Sequence, residues 1–253
     1  MKPSFLKYEK PLITAMIQYP TADECILKIK SSIADGADAI GIQLDKLKKE
    51  YLNKEHLTKI FEACEGKPIY VTCYREGIDL VRSDEECAEI LLLALSCGAT
   101  LCDVMGDMFN KTTYLELTED VSAIEKQMRL IDEIHRCGGE VLMSCHTERS
   151  TTIEENLKIA KAQAERGADI LKIVNLSESE SEIPKYIEAI QKIIKLTDKK
   201  LLFLVTGEAD IIRYIGPCFG VCMYLCVRHH GPFDTKSQPL IKDIKSIKES
   251  IKF

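Results

Sequence analysis

The chain has none of the features that would direct it to a membrane, an oxidising compartment or a nucleic acid. No uninterrupted apolar run approaches the roughly 18 residues a membrane span needs. The first ten residues carry Lys2, Lys7, Glu9 and Lys10, and no apolar stretch of signal-peptide length. Among eleven cysteines, an odd number, no CxxC pair occurs. Reduced thiols and a cytoplasmic location are therefore expected. Cys73, Cys102, Cys222 and Cys226 lie in apolar runs, where a thiol packs as a small hydrophobe. The tight ligand spacings of a metal site are missing. There is no basic cluster: 34 Lys and Arg face 40 Asp and Glu, for a formal charge of −6. That balance argues against nucleic acid or an anionic membrane as the main partner. No Pro/Ser/Gly-rich linker or low-complexity tract divides the 253 residues, so a single domain over 1–253 is expected.

What is present is a repeat. Hydrophobic residues at 45% and charged residues at 29% describe an ordinary folded chain. Short apolar runs alternate with helix-periodic segments eight times. The runs are Leu12–Ile17, Ala39–Leu44, Ile69–Cys73, Leu101–Val104, Val141–Cys145, Ile170–Val174, Leu201–Val205 and Phe219–Cys226. Near-continuous apolarity is what strands buried on both faces require. Ala22, Ile26, Ile29 and Ile33 recur at helical spacing, and Ile153, Leu157, Ala160 and Ala164 repeat it. Thr21-x-x-Glu24, Ser83-x-x-Glu86 and Thr151-x-x-Glu154 read as capping boxes. Gly36, Gly98 and Gly167 stand where helices should end. Eight βα units in about 250 residues predict an α/β fold, a (β/α)8 TIM barrel. A doubly wound open sheet is the alternative, but it usually has a Gly-rich phosphate loop after its first strand. Here that strand is followed by Gln18-Tyr19-Pro20-Thr21.

In such a barrel, chemistry sits at the C-terminal ends of strands. Lys172 interrupts the apolar run Ile170–Val174 and shares a strand face with both ends of it. Facing inward, it would be a desolvated amine with a depressed pKa, able to attack a carbonyl and form an imine. Facing outward, it would reach past a helix to solvent. His146 closes the preceding strand run, one strand spacing of about 4.8 Å away. A histidine side chain can move a proton in either direction near neutral pH. His56, His135, His229 and His230 fall in helices or a loop and are expected to be solvated. Arg213 follows the seventh strand, where it could clamp a substrate carboxylate or form a helix-surface salt bridge. Gln238 lies in the loop after the last strand.

On these residues the chain resembles the type I 3-dehydroquinases, the imine-forming 3-dehydroquinate dehydratases of the shikimate pathway of aromatic amino acid biosynthesis. The matching features are Ser144-x-His146, Gly167-Ala-Asp-Ile-Leu-Lys-Ile173, Arg213-x-x-Gly216-x-x-Phe219-Gly220 and Gln238. The resemblance runs from Pro11 to the C-terminal helix. It implies that Lys172 condenses with the substrate ketone, that His146 moves the protons, and that the product enone leaves by imine hydrolysis. It places Arg213 on the substrate carboxylate and Gln238 on a closing lid. It requires no metal or diffusible cofactor, and suggests a homodimer acting on a small keto-carboxylate.

The departures from the family are equally specific. Its second strand carries Glu-x-Arg-x-Asp, with Glu and Arg on substrate; here the stretch is Gly41-Ile-Gln43-Leu-Asp45, which puts Gln43 at a substrate position. Its third strand ends Phe-Arg with Glu-Gly shortly after; here Cys73-Tyr74-Arg75-Glu76-Gly77 offers Arg75 for substrate and Glu76 to orient His146. The lid motif Ser-Ala-Pro-Gly-Gln becomes Asp234-Thr-Lys-Ser-Gln238. Three readings follow: a dehydroquinate dehydratase with a variant pocket, a related Schiff-base lyase or aldolase on another hydroxy-keto acid, or a non-catalytic barrel. Losing partners for substrate hydroxyls bears on selectivity by orders of magnitude.

Overall fold

A computed structural model of the chain describes residues 3–251. The strands are β1 (Leu12–Ile17), β2 (Ala39–Gln43), β3 (Ile69–Thr72), β4 (Leu101–Met105), β5 (Glu140–His146), β6 (Ile170–Ser177), β7 (Lys200–Gly207) and β8 (Met223–Cys226). The helices between and after them are α1 (Ala22–Ala34), α2 (Lys54–Glu62), α3 (Asp84–Cys97), α4 (Val121–Arg136), α5 (Ile153–Glu165), α6 (Ile183–Leu196), α7 (Ile212–Ile215) and α8 (Ile241–Ser250). The sheet order is β7-β6-β5-β4-β3-β2-β1-β8, the sequential order of a (β/α)8 TIM barrel. Among the described residues no helix is long and apolar enough to cross a membrane.

The strands come from the expected apolar runs, with one shift. The run beginning at Phe219 splits: Gly216–Phe219 is a 3-10 turn, and the strand starts only at Met223. Gly220 has a φ of 105°, which lets the chain turn between them. Helix starts follow the caps. Thr21 accepts from the Glu24 amide, and Ser83 with Glu86 forms a complete capping box. The α5 cap lies one residue later than expected: Thr152 and Glu155 form the box. Thr151 is instead buried and hydrogen-bonds Asn175 and Asn156, tying the helix start to β6.

Helix faces are also rotated from the aliphatic repeat. α1 buries Ala22, Cys25, Ile29 and Ser32, so Ile26 and Ile33 flank the core face. α5 buries Asn156, Ile159, Ala160 and Gln163. The two amides belong inside because each has backbone to satisfy: Gln163 Nε2 donates to the Lys172 carbonyl at 2.8 Å, and Asn156 to the Thr152 carbonyl at 2.8 Å.

The described chain groups into two compact units. The first runs through Asp103 and includes Ile134–Glu140 and the segment from Leu225; the second holds Val104–Glu133 and Val141–Tyr224. In the first, β1, β2 and β3 pair in parallel, with Met16, Gly41 and Tyr70 in register. A Cβ on Gly41 would lie 2.2 Å from Met16 Sδ and 3.2 Å from Tyr70 Cδ1, so those two side chains occupy the space beside the glycine. The Tyr70 and Tyr74 hydroxyls both donate to Asp103 Oδ2. In the second unit, β5, β6 and β7 pair in parallel with fully buried Leu171, Ile173, Tyr186 and Phe203.

Candidate active site

The register of the second unit places the two residues singled out in the sequence, Lys172 and His146, on adjacent strands. Ser144 pairs with Lys172, and His146 with Val174. Residues opposite one another in a parallel pair share a face, and i and i+2 share it too. Ser144, His146, Lys172 and Val174 therefore occupy one face, with Leu171 and Ile173 on the other. Lys172 is 3% exposed. The amine is on the face of the imidazole and out of bulk water.

His146 is held from the loop after β4. Glu116 Oε2 accepts from His146 Nδ1 at 2.5 Å and from the His146 backbone amide at 2.6 Å. The orienting role assigned to Glu76 is thus filled by Glu116. Glu76 lies in an antiparallel bridge with Val81, in the excursion between β3 and α3. A carboxylate on Nδ1 fixes the ring and its tautomer, so Nε2 is the nitrogen turned to proton transfer.

Nothing local to Glu116 announces this role; its loop is built from distant parts. Phe109, Tyr114 and Glu116 have φ values of 71°, 73° and 44°, left-handed conformations that side chains adopt only when their surroundings impose them. The clamp is a buried polar network. Arg166, just past α5, donates to the carbonyls of Gly106 at 2.9 Å and Thr118 at 2.6 Å, and to Gln127 Oε1 at 3.0 Å. Gln127 Nε2 donates to Gly106 and Met108 carbonyls. Burial lowers the Arg166 pKa, but the guanidinium stays charged at neutral pH. Arg166→Met removes the guanidinium donor from the Thr118 carbonyl and Gln127 Oε1, while the Gly106 carbonyl keeps Gln127 Nε2, and should cost roughly 2 kcal/mol of stability in urea unfolding; a change below about 0.5 kcal/mol would show that the clamp is dispensable.

Arg213 is in the same unit, on α7, and 5% exposed. Nε donates to the Val205 carbonyl at 2.6 Å, which anchors one edge of the guanidinium to β7. Desolvation lowers its pKa to about 10. A charge so poorly solvated gains more from an incoming carboxylate than an exposed one does. The helix-surface salt bridge considered for Arg213 is not its setting.

The candidates in the first unit are engaged by protein groups. Gln238 is buried, and its Oε1 accepts from Gln18 Nε2 at 3.0 Å. Gln18 Oε1 in turn accepts from the Thr235 amide and hydroxyl. Asp234 binds the Tyr19 hydroxyl at 2.9 Å and the Gly231 amide at 2.8 Å. The loop between β8 and α8 is thereby fastened to the end of β1. Arg75 forms a two-pronged ion pair with Asp84, Nε to Oδ1 at 2.6 Å and Nη2 to Oδ2 at 3.0 Å. Gln43 ends β2, half-buried, in register with Thr72. His229 meets Lys28 Nζ, His56 pairs with Asn53, and His230 meets the Gln238 carbonyl.

The profile of the type I 3-dehydroquinases matches residues 13–252. The chain belongs to the type I 3-dehydroquinase family. Solved members are similar in fold at low identity. The 3-dehydroquinate dehydratase of Geobacillus kaustophilus HTA426 superposes with a TM-score of 0.81 at 15% identity, covering 96% of this chain and 91% of that one. The enzyme of Enterococcus faecalis gives 0.78 at 16%, covering 96% and 95%. A type I enzyme of Clostridium difficile, solved with covalently modified comenic acid, gives 0.78 at 19% with the same coverage. No curated protein matches the sequence. Within the type I 3-dehydroquinase family the chain is a divergent member.

Proposed function

We propose that the chain is an imine-forming dehydratase that converts 3-dehydroquinate to 3-dehydroshikimate. The observation that carries this reading is the shared face of Lys172 and His146, with the lysine buried and the imidazole held by Glu116. Lys172 Nζ attacks the ketone carbon and water leaves, giving a protonated imine. His146 takes a proton from the adjacent carbon, and the electrons pass into the imine to form an enamine. The imidazolium returns the proton to the β-hydroxyl, which departs as water. Hydrolysis of the imine releases the enone and regenerates the amine. Arg213 holds the substrate carboxylate. The working unit is one cytoplasmic domain spanning the chain, acting as a homodimer.

A second reading keeps the imine chemistry but changes the substrate to a different small hydroxy-keto acid. It is favoured by a specific set of contacts: Met16 and Tyr70 fill the space beside Gly41, Arg75 is paired with Asp84, and Gln238 with Gln18. Contacts of this kind leave fewer free polar groups for the hydroxyls of a substrate, which bears on selectivity. Incubation with 3-dehydroquinate and borohydride, followed by intact mass, separates the readings. A stable adduct together with enone absorbance supports the dehydratase. Adducts only with other keto acids support the second reading, and no adduct with any carbonyl compound defeats both.

Glu116→Gln tests the orienter. Replacing the carboxylate by an amide keeps a hydrogen-bond acceptor but removes the charge that supports imidazolium. kcat should fall on the order of 10²-fold with KM changed little. An unchanged kcat would remove Glu116 from the mechanism.

A further inference from the structure

A cavity of about 240 Å³ lies in the first unit, and none of Lys172, His146, Glu116 or Arg213 lines it. Three segments build its walls. Lys49 and Leu52 come from the 3-10 turn Lys49–Tyr51 and the residue after it, Leu80 and Arg82 from the excursion between β3 and α3, and Glu86, Glu89 and Ile90 from α3. The α3 residues are spaced i, i+3 and i+4, so the helix turns one face to the cavity. Backbone hydrogen bonds hold the frame. The Lys49 amide donates to Asp79 Oδ2 at 2.8 Å, the Gly77 amide to the Leu80 carbonyl at 3.0 Å, and the Arg82 amide to the Arg75 carbonyl at 2.8 Å.

Arg82 is the unusual member of this wall. It is 4% exposed, and among the described residues neither of its Nη atoms has a hydrogen-bond partner. Asp79 Oδ1 stands 3.9 Å from Nη2, beyond hydrogen-bond reach. A second carboxylate in coulombic range, Asp45, is taken up by the Thr72 hydroxyl, the Tyr74 amide and Lys46. The guanidinium nevertheless has a berth made for it: a Cβ on Gly77 would lie 2.0 Å from Arg82 Nη1. A buried cation whose donors find no acceptor is costly, and the planar fork matches a carboxylate. Both Nη atoms lie below the cavity surface, so an incoming carboxylate would meet them as the guanidinium swings out of the Gly77 berth.

The rest of the lining says what else such a ligand carries. Two cations, Lys49 and Arg82, are matched by two carboxylates, Glu86 and Glu89. A simple anion would be opposed by the glutamates, and a simple cation by the basic pair. Glu86 Oε2 already accepts from the Ser83 amide at 2.8 Å, whereas Glu89 is exposed on the rim. Leu52, Leu80 and Ile90 supply an aliphatic surface with no aromatic ring. The volume is below the roughly 300–1,000 Å³ of pockets for drug-sized ligands.

We propose that this cavity binds a free α-amino acid with an aliphatic side chain. The carboxylate pairs with Arg82, the ammonium with Glu89, and the side chain lies against Leu52, Leu80 and Ile90.

The test is calorimetric titration of the full chain with L-leucine, 4-methylpentanoate and 3-methylbutylamine. The three share one branched carbon body; the second lacks the ammonium and the third the carboxylate. Leucine should bind saturably with a Kd on the order of 1 mM or tighter, and each fragment at least about tenfold more weakly. Amide NMR shifts should move at Gly77, Leu80 and Arg82. Arg82→Gln should weaken leucine binding at least about tenfold. Glu89→Gln, on an exposed helix position, should bring leucine down to the level of 4-methylpentanoate. The proposal is overturned if leucine does not saturate by about 10 mM, or if 4-methylpentanoate binds as tightly as leucine. It is also overturned if a folded Arg82→Gln binds leucine as the parent does. Should that variant fail to fold, the three-probe comparison and Glu89→Gln decide the matter. No probe carries a ketone or aldehyde, so the outcome is independent of the imine chemistry.

Discussion

Lys172→Ala is expected to abolish borohydride trapping and to lower turnover on the order of 10⁴-fold or more. In the proposed mechanism the amine is both the nucleophile and the atom through which electrons are withdrawn, so no neighbouring group replaces either role. The fold should survive. Lys172 is buried within β6, and removing a buried polar group offsets part of the packing lost with its stem. Stability should therefore change by no more than about 2 kcal/mol in urea unfolding. The decisive readout is intact mass after reduction. If the alanine variant still traps substrate, another amine is the nucleophile and the site has been misplaced.

His146→Ala has a different expected signature. Imine formation needs an attacking amine, whereas elimination needs a base on one carbon and an acid on the next oxygen. The variant should therefore still trap substrate on Lys172 while kcat falls by roughly 10²- to 10⁴-fold, the usual range for loss of a positioned acid–base group. A covalent adduct should accumulate during turnover and be visible by mass without prolonged reduction. Equal loss of trapping and turnover would mean that His146 acts mainly in building the imine. Because Glu116 binds Nδ1 and the backbone amide of His146, Glu116→Gln should resemble a weaker His146→Ala and not a weaker Lys172→Ala.

The difference between these two residues also explains what could be read from the amino-acid order. Lys172 was legible because a basic residue inside an apolar run has few explanations, and strand alternation puts it on the face of Ile170 and Val174; that the side chain is buried came only with the structure. His146 was legible through its place one strand away. The eight strands and most helix starts followed from local apolarity and capping chemistry. Glu116 was not legible. Its loop combines left-handed residues, for which the sequence carries no local signal, with hydrogen bonds from Gln127 on α4 and from Arg166, fifty residues further along the chain. The choice of Glu76 rested on a neighbouring Arg and Gly, and that segment folds into its own bridge with Val81. The α5 cap slipped by one residue for a related reason: two successive threonines offer the same local signal, and only the buried Asn175–Asn156 pair selects which one turns inward.

Gly41 has a consequence for how this member can change. A side chain built there would meet Met16 Sδ and the edge of the Tyr70 ring, and the room for it comes from a new rotamer of the flexible Met16 thioether. Growth at position 41 is therefore coupled to what position 16 does. Substitutions at the two positions should be non-additive, because the same small volume is shared between them.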